Sequence, residues 1–259
     1  LKNNIGASLQ YVKNNFRMLF KLPLSIFYTK VENEPIVNEL TTIHRTKLLF
    51  SPSFALLWKA FDNWTLSANG KYDMYSTRWP NLLTAYLMKN YRTLSRNRVN
   101  LTESRLATIN AKLQYKNILN EFFAYLSGTF GRQWSDIMYG TTINKNVHTV
   151  IQAEYLPNHI DNYTLTANLR KEFGRYNTSV ELTGSYTINQ SKILRQSVIS
   201  DYRFDSYSII SHFAIDIIKG IRFTEDFSWE IFCSKSENYH YKIHNFNNDA
   251  TLNISIIPS

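Results

Sequence analysis

The side chains best suited to chemistry are few and poorly grouped. The stretch "YHYKIH" places His240 and His244 four apart, a spacing that serves a metal when both lie on one helix face. Here the segment reads as a polar loop, and no acidic third ligand stands at a set spacing. His212 and Asp216 are also four apart. On a strand that is about 13 Å, too far for a direct acid–base dyad. No Ser sits in a nucleophile signature, so a Ser–His–acid hydrolase lacks its first member. The single cysteine, Cys233, excludes an internal disulfide and a Cys-based zinc cluster. No enzyme, cofactor or metal site is expected.

Binding chemistry is better represented. In "NYRTLSRNRVN", Tyr91, Arg92, Arg96 and Arg98 interleave aromatic and basic groups. Such a pattern suits nucleic acid or another polyanion. It lies in the longest loop between strands, which favours an external ligand surface, and a merely solvated loop fits as well. Trp79 and Tyr139 sit at strand ends beside long loops. They join Tyr91, Arg92, Arg96 and Arg98 as candidate ligand-binding residues, although anchoring at a membrane interface suits their amphipathic rings better. The net charge of +9 comes from scattered Lys and Arg, which reads as solvated loops and a polar strand face. No nucleic-acid partner is expected.

The elements that carry these residues read as strands. In "SVELTGSYTI", Val180, Leu182, Gly184, Tyr186 and Ile188 alternate with Ser179, Glu181, Thr183, Ser185 and Thr187. Side chains on a strand alternate between faces, so one face is apolar and the other polar. "WTLSANGKYDM" and "YTLTANLRKEF" repeat the pattern. "IRFTEDFSWEIF" does so with one exception, Glu225, in the apolar phase. Tyr (17) and Phe (16) suit strands, and with Gly (8) and Pro (6) scarce, Asn supplies many turns. The reading gives eleven strands, at 4–13, 15–30, 45–60, 64–78, 104–116, 121–138, 160–173, 176–193, 203–218, 221–236 and 249–257.

The connections separate a core-facing sheet from a lipid-facing one. Short turns at 14–15, 61–63, 117–120, 174–175 and 219–220 alternate with longer stretches at 31–44, 79–103, 139–159, 194–202 and 237–248. In an up-and-down meander all short turns then share one end. Outer-membrane barrels have that asymmetry, whereas Greek-key sandwiches mix their connection lengths. Several strands run roughly 13 to 18 residues, against a usual mode of about 5–6 in soluble sheets. The polar faces carry Lys71, Asp73, Arg170, Glu172, Glu181, Asp216, Arg222 and Glu230, which a wet lumen accepts and a sandwich core does not. No apolar run of about 18 residues marks a transmembrane helix.

Three segments carry a family likeness: "LLFSPSFALLWKAFDNWTLSANGKYDMYS", "YLMKNYRTLSRNRVNLTESRLATINAKLQYKNILNEFFAYLSGTF" and "NLRKEFGRYNTSVELTGSYTINQSKILRQ". Within them stand Asn90-Tyr91-Arg92-Thr93-Leu94 and Leu101-Thr102-Glu103-Ser104. Their order resembles the barrel of a TonB-dependent outer-membrane receptor, in the branch with a carboxypeptidase-like regulatory domain. The resemblance implies an all-β, antiparallel up-and-down meander forming about half of a transmembrane outer-membrane barrel. It implies nutrient uptake across the cell outer membrane of a Gram-negative organism. The implied partners are outer-membrane lipid, a plug domain, the remaining barrel strands and TonB, with a surface lipoprotein in addition. Residues 1–259 are expected to be one partial barrel domain without its plug, an internal fragment, since receptors of this kind have about 22 strands. The chain ends at "NISIIPS" rather than on a terminal aromatic. A passive porin or adhesin-like barrel is the alternative, then a soluble secreted β protein.

Overall fold

The computed structural model describes residues 2–33, 41–76, 87–97, 103–143, 149–174, 177–218, 220–237 and 239–255. Among them fourteen strands join one sheet. They are β1 (Lys2–Lys13), β2 (Phe16–Asn33), β3 (Thr41–Phe50), β4 (Ser53–Phe61), β5 (Trp64–Ser76), β6 (Leu87–Asn90) and β7 (Thr93–Asn97). Then follow β8 (Glu103–Asn117), β9 (Phe122–Ile143), β10 (Thr149–Phe173), β11 (Thr178–Arg195), β12 (Val198–Ile218), β13 (Ile221–Ser236) and β14 (Tyr239–Ile254).

The main path runs β1-β2-β4-β5-β8-β9-β10-β11-β12-β13-β14, eleven antiparallel neighbours in chain order. This is the expected meander. The strand expected at 45–60 is divided at Ser51-Pro52 into β3 and β4. Both halves keep one register on β2, with Leu24 opposite Phe50 and Lys21 opposite Ser53. Pro52 lacks an N–H and interrupts the ladder without shifting it. Ser51 N–H still reaches Pro23 O at 3.2 Å, and Tyr72 N–H reaches Pro52 O at 2.9 Å.

Ladder partners point to the same side, so the registers align the alternating faces of separate strands. One cross-strand row runs Phe16, Trp58, Leu66, Leu113, Leu126, Ala167, Gly184, Ile209, Trp229, Phe246 from β2 to β14. Parallel rows above and below it are also apolar, and together they form a belt. Glu225 lies near the edge of this face, between Phe213 and Ala250. Gly70 has a packing role in the belt. The Phe54 ring lies over it, so that a Cβ there would stand 2.3 Å from the ring, and Phe54 stacks on Phe20.

Among the described residues no second layer covers the belt. Ile109, Leu126, Leu165 and Leu169 are each about half exposed. Among the described residues the buried hydrophobics are Leu49, Met138, Leu194 and Ala214. The accessible surface is 18121 Å², where a soluble monomer of this mass exposes about 11,800 Å².

The short turns gather at one end, here the near end. Asn14 (φ 47°), Glu121 (φ 50°), Asn177 (φ 43°) and Gly220 (φ 89°) take left-handed backbone there. The turns brace one another: Glu121 carboxylate accepts Gly174 N–H at 3.0 Å, and Glu121 C=O accepts Glu172 N–H at 3.0 Å.

The far end departs from expectation. Residues 139–159, 194–202 and 237–248 are largely strand. β9 and β10 pair up to Ile143 opposite Thr149, and β14 begins at Tyr239. β11 turns directly into β12 through Gln196 (φ 49°) and Ser197 (φ 64°). A two-residue hairpin turn with both central φ positive usually draws Asn and Gly, so this turn carried no composition signal. The described residues show no pairing between β1 and β14, each of which pairs on one side only.

Candidate functional site

The far end of the sheet is rearranged by one irregular point. Below it β10 lies between β9 and β11, and the β10–β11 ladder stops at Asp161 opposite Gln190. Between Tyr155 and Asn158, which flank Leu156-Pro157, the β9–β10 register shifts. Beyond that shift Leu194 and Arg195 of β11 pair with Gly140 and Thr141 of β9 instead. β10 in turn takes β7 as a parallel neighbour, Thr93 opposite Thr149 through Asn97 opposite Ala153. The order at the tip is therefore β6-β7-β10-β9-β11, and the β9–β10 hairpin has turned over.

Side chains hold this turn. Asn158 Nδ2 donates to Ile137 O at 2.7 Å and to Leu156 O at 2.9 Å, meeting carbonyls that the bulge frees. Ser135 Oγ donates to Ile137 O at 2.9 Å. Gln196 acts as a short piece of strand against the β9 tip. Its Oε1 accepts Ile143 N–H at 3.2 Å, its Nε2 donates to Ile143 O at 3.1 Å, and its own N–H donates to Thr141 O at 2.9 Å.

The sequence-derived candidates divide across this platform. Tyr91 and Arg92 form the tip of the β6–β7 hairpin. Tyr91 is 77 % exposed, the Arg92 guanidinium lies 5.2 Å from its ring centroid, and Arg92 N–H donates to Asn90 Oδ1. Arg96 lies opposite Gln152 in the β7–β10 ladder. Tyr139 pairs with Ala153, which pairs with Asn97 on its other side, so β7 and Tyr139 share one sheet. Burial pushes the Tyr139 phenol above its ordinary pKa. Tyr139 stands inside β9 rather than at its end. It lies beyond the last apolar row at Phe130 by about 30 Å along the strand at the usual rise. Trp79 and Arg98 fall outside the described residues.

Several polar pairs were not legible in the sequence, because they join residues on different strands. His212, set aside with respect to Asp216, pairs with Asp226 across β12 and β13, Nδ1 to Oδ1 at 2.6 Å. Asp216 faces Arg222 at 3.8 Å. Arg132 grips the buried Asp161 through Nε and Nη2 at 2.6 and 2.7 Å, which holds the Asp161 carboxyl below the usual carboxylate range. Arg203 grips Asp205 likewise, at 2.8 and 2.9 Å, but two residues along the same strand, β12. Asn168 Nδ2 donates to both Glu181 and Thr183 on the polar face. Among the described residues no group of three or more His, Cys, Asp or Glu could hold a metal. Among the described residues no helix is long and apolar enough to cross a membrane.

No family model matches the sequence, and no curated protein does. Solved structures do resemble it. Two structures of the ferric enterobactin receptor PfeA from Pseudomonas aeruginosa, one of them in complex with enterobactin, align with TM-scores of 0.56. They share 11 % and 12 % identity and cover 97 % of this chain and 38 % and 39 % of theirs. The outer membrane transporter YddB from Escherichia coli aligns with a TM-score of 0.48 at 12 % identity, over 95 % of this chain and 35 % of its own. At these identities the PfeA likeness is one of fold. The chain has the architecture of part of an outer-membrane receptor barrel, a meander left open at both edges, and it spans under two fifths of those receptors.

Proposed function

We propose that residues 1–259 are one wall of the barrel of an outer-membrane receptor for TonB-dependent nutrient uptake. The observation that carries this is the apolar belt, continuous from β2 to β14 and covered by no second layer among the described residues, opposite a face bearing Lys71, Asp73, Arg170, Glu172 and Glu181. A water-soluble sheet would bury its apolar face; a barrel wall turns it to lipid and its charges to a wet lumen. The near end with its braced short turns would face the periplasm. The β6-β7-β10-β9-β11 platform would stand outside the cell, where Tyr91, Arg92, Arg96 and Tyr139, with Trp79 and Arg98 in the adjoining connection, meet ligand.

The rest of the machine follows the resemblance. A plug domain and the remaining strands complete the barrel, TonB supplies the work that displaces the plug, and a surface lipoprotein assists capture. The carboxypeptidase-like branch is part of the same proposal.

Charge substitution in the full-length protein tests the membrane reading. Arg at the midplane of a lipid-facing strand costs about 2–4 kcal/mol. Leu66→Arg and Leu182→Arg should lower the urea midpoint in liposomes and reduce the heat-modifiable band. Ser67→Arg, on the opposite face, should leave both unchanged. Thr183→Arg is the poorer control, because Thr183 accepts a 2.8 Å hydrogen bond from Asn168, whereas Ser67 Oγ donates to Lys112 O only at 3.5 Å. Equal damage from Leu66→Arg and Ser67→Arg would mean that both faces are packed in protein, and would end the membrane reading.

A further inference from the structure

The apolar belt ends differently at its two borders. At the near border its face carries aromatic rings, Tyr11 and Phe16 packed edge to face, Trp64 against Tyr115, and Phe122 beside Tyr115, and its charges, Lys13, Lys171 and Glu225, are spread over three separated strands. At the far border the same face turns abruptly ionic. The last predominantly apolar row includes Ile109, Phe130, Tyr163 and Ile188. The next row holds Arg132, Asp161, Gln190, Arg203 and Lys235, and the one above it holds Arg105, Trp134, His159, Lys192 and Asp201. Five of the six strands from β8 to β13 thus contribute a cation within two rows.

On these six strands the polar face at the same height carries none, although its rows continue to Lys71 and Asp73 on β5. Its rows there are Thr108, Gly131, Asn162, Asn189, Phe204, Ser234 and Leu106, Gln133, Ser191, Tyr202, Ser236. From β8 to β13 the charge at this level stands on the face that continues the belt. A cleft of about 530 Å³ opens in these rows, where the β10–β11 ladder ends and the β9–β10 hairpin turns away. Lys192, Arg203 and Lys235 line it together with His159, Asp201 and Glu237. Arg132 and Arg203 are already committed to Asp161 and Asp205. Among the described residues no ion pair within 4 Å engages Lys192 or Lys235, and both side chains are exposed.

We propose that this cleft binds the phosphorylated sugar head of a glycolipid in the outer leaflet. Lys192 and Lys235 take the phosphate, and the Asp201 and Glu237 carboxylates accept hydrogen bonds from sugar hydroxyls. Basic groups at the membrane border attract anionic headgroups, and the belt directly below receives the acyl chains. The contrast between an aromatic near border and an ionic far border matches a bilayer whose leaflets differ in headgroup. The inference rests on the membrane reading above.

The test uses the full-length protein purified from membranes in mild detergent. Retained and titrated lipids are followed by native mass spectrometry, with four probes: a diphosphorylated glycolipid, its dephosphorylated form, phosphatidylglycerol and inorganic phosphate. The diphosphorylated glycolipid should bind most tightly. Lys192→Gln with Lys235→Gln should weaken it about thirtyfold, the effect of two lysines near an anionic surface. Lys112→Gln with Lys116→Gln, the same loss of two charges on the opposite face, should not, and heat-modifiable migration checks that each variant is folded. Equal affinity for phosphatidylglycerol or free phosphate, or equal binding by the double variant, would overturn the inference. A protein absent from the membrane fraction would instead overturn the reading beneath it.

Discussion

Arg132 and Asp161 show what a single ladder position decides. Asp161 is 4 % exposed and takes both oxygens' hydrogen bonds from one guanidinium, while the rows below it are apolar. Removing the arginine leaves a buried carboxylate unpaired, which costs about 1–3 kcal/mol. The hydrogen bonds from Arg132 lower the folded-state pKa of Asp161 below its unfolded value. The stability they confer is therefore fully present above the unfolded pKa of about 3.9 and is lost as pH falls through the lower folded value. Arg132→Ala in the full-length protein should lower the urea midpoint at neutral pH. The gap from wild type should close as the pH falls through that lower folded value and Asp161 takes a proton in both. A gap that is constant with pH would assign the loss to side-chain packing rather than to the ion pair.

At the scale of elements, the far platform depends on two side chains that substitute for backbone. Asn158 fills the bulge beside Pro157, and Gln196 extends the β11–β12 turn onto Ile143. Gln196→Asn keeps a residue that tolerates positive φ but falls one methylene short of Ile143. Two hydrogen bonds worth about 0.5–1.5 kcal/mol each would be lost, so local amide exchange at Ile143 should rise roughly tenfold. Exchange in the belt, at Leu126 or Leu165, should not change. If Ile143 exchanges at the wild-type rate, the β9 tip is held by the β9–β10 ladder alone and Gln196 is incidental.

At the scale of the molecule, the two open edges dominate. Among the described residues β1 and β14 each present an unpaired row of N–H and C=O groups. In hydrocarbon such a row must be paired, which is why only closed barrels span with strands. In the full-length protein the amides of β1 and β14 that face away from β2 and β13 should be protected from exchange by neighbouring strands. In residues 1–259 alone, in detergent, the same amides should exchange as fast as the turns. Protection of both edges in the isolated chain would mean that eleven strands close on themselves, and the partial-barrel reading would fail.

The alternation of residues such as Leu182 and Thr183 settled which positions share a face, because a strand has a period of two whatever its neighbours do. The same alternation, with Asn-rich turns, settled the meander and most of its near-end turns. Above the belt that signal fades. Residues 139–159 and 239–248 are mixed on both faces, so long strands there read as loops, and the Gln196-Ser197 turn lacks the residues that announce one. The Tyr91, Arg92 and Arg96 stretch was legible as basic and aromatic, but its docking on β10 was not, since a parallel pairing across fifty residues leaves no local trace. Only the tertiary structure brought Arg132 to Asp161, His212 to Asp226, and Lys192 and Lys235 into one cleft. Each of those meetings is fixed by register between strands, and register is a property of the whole sheet.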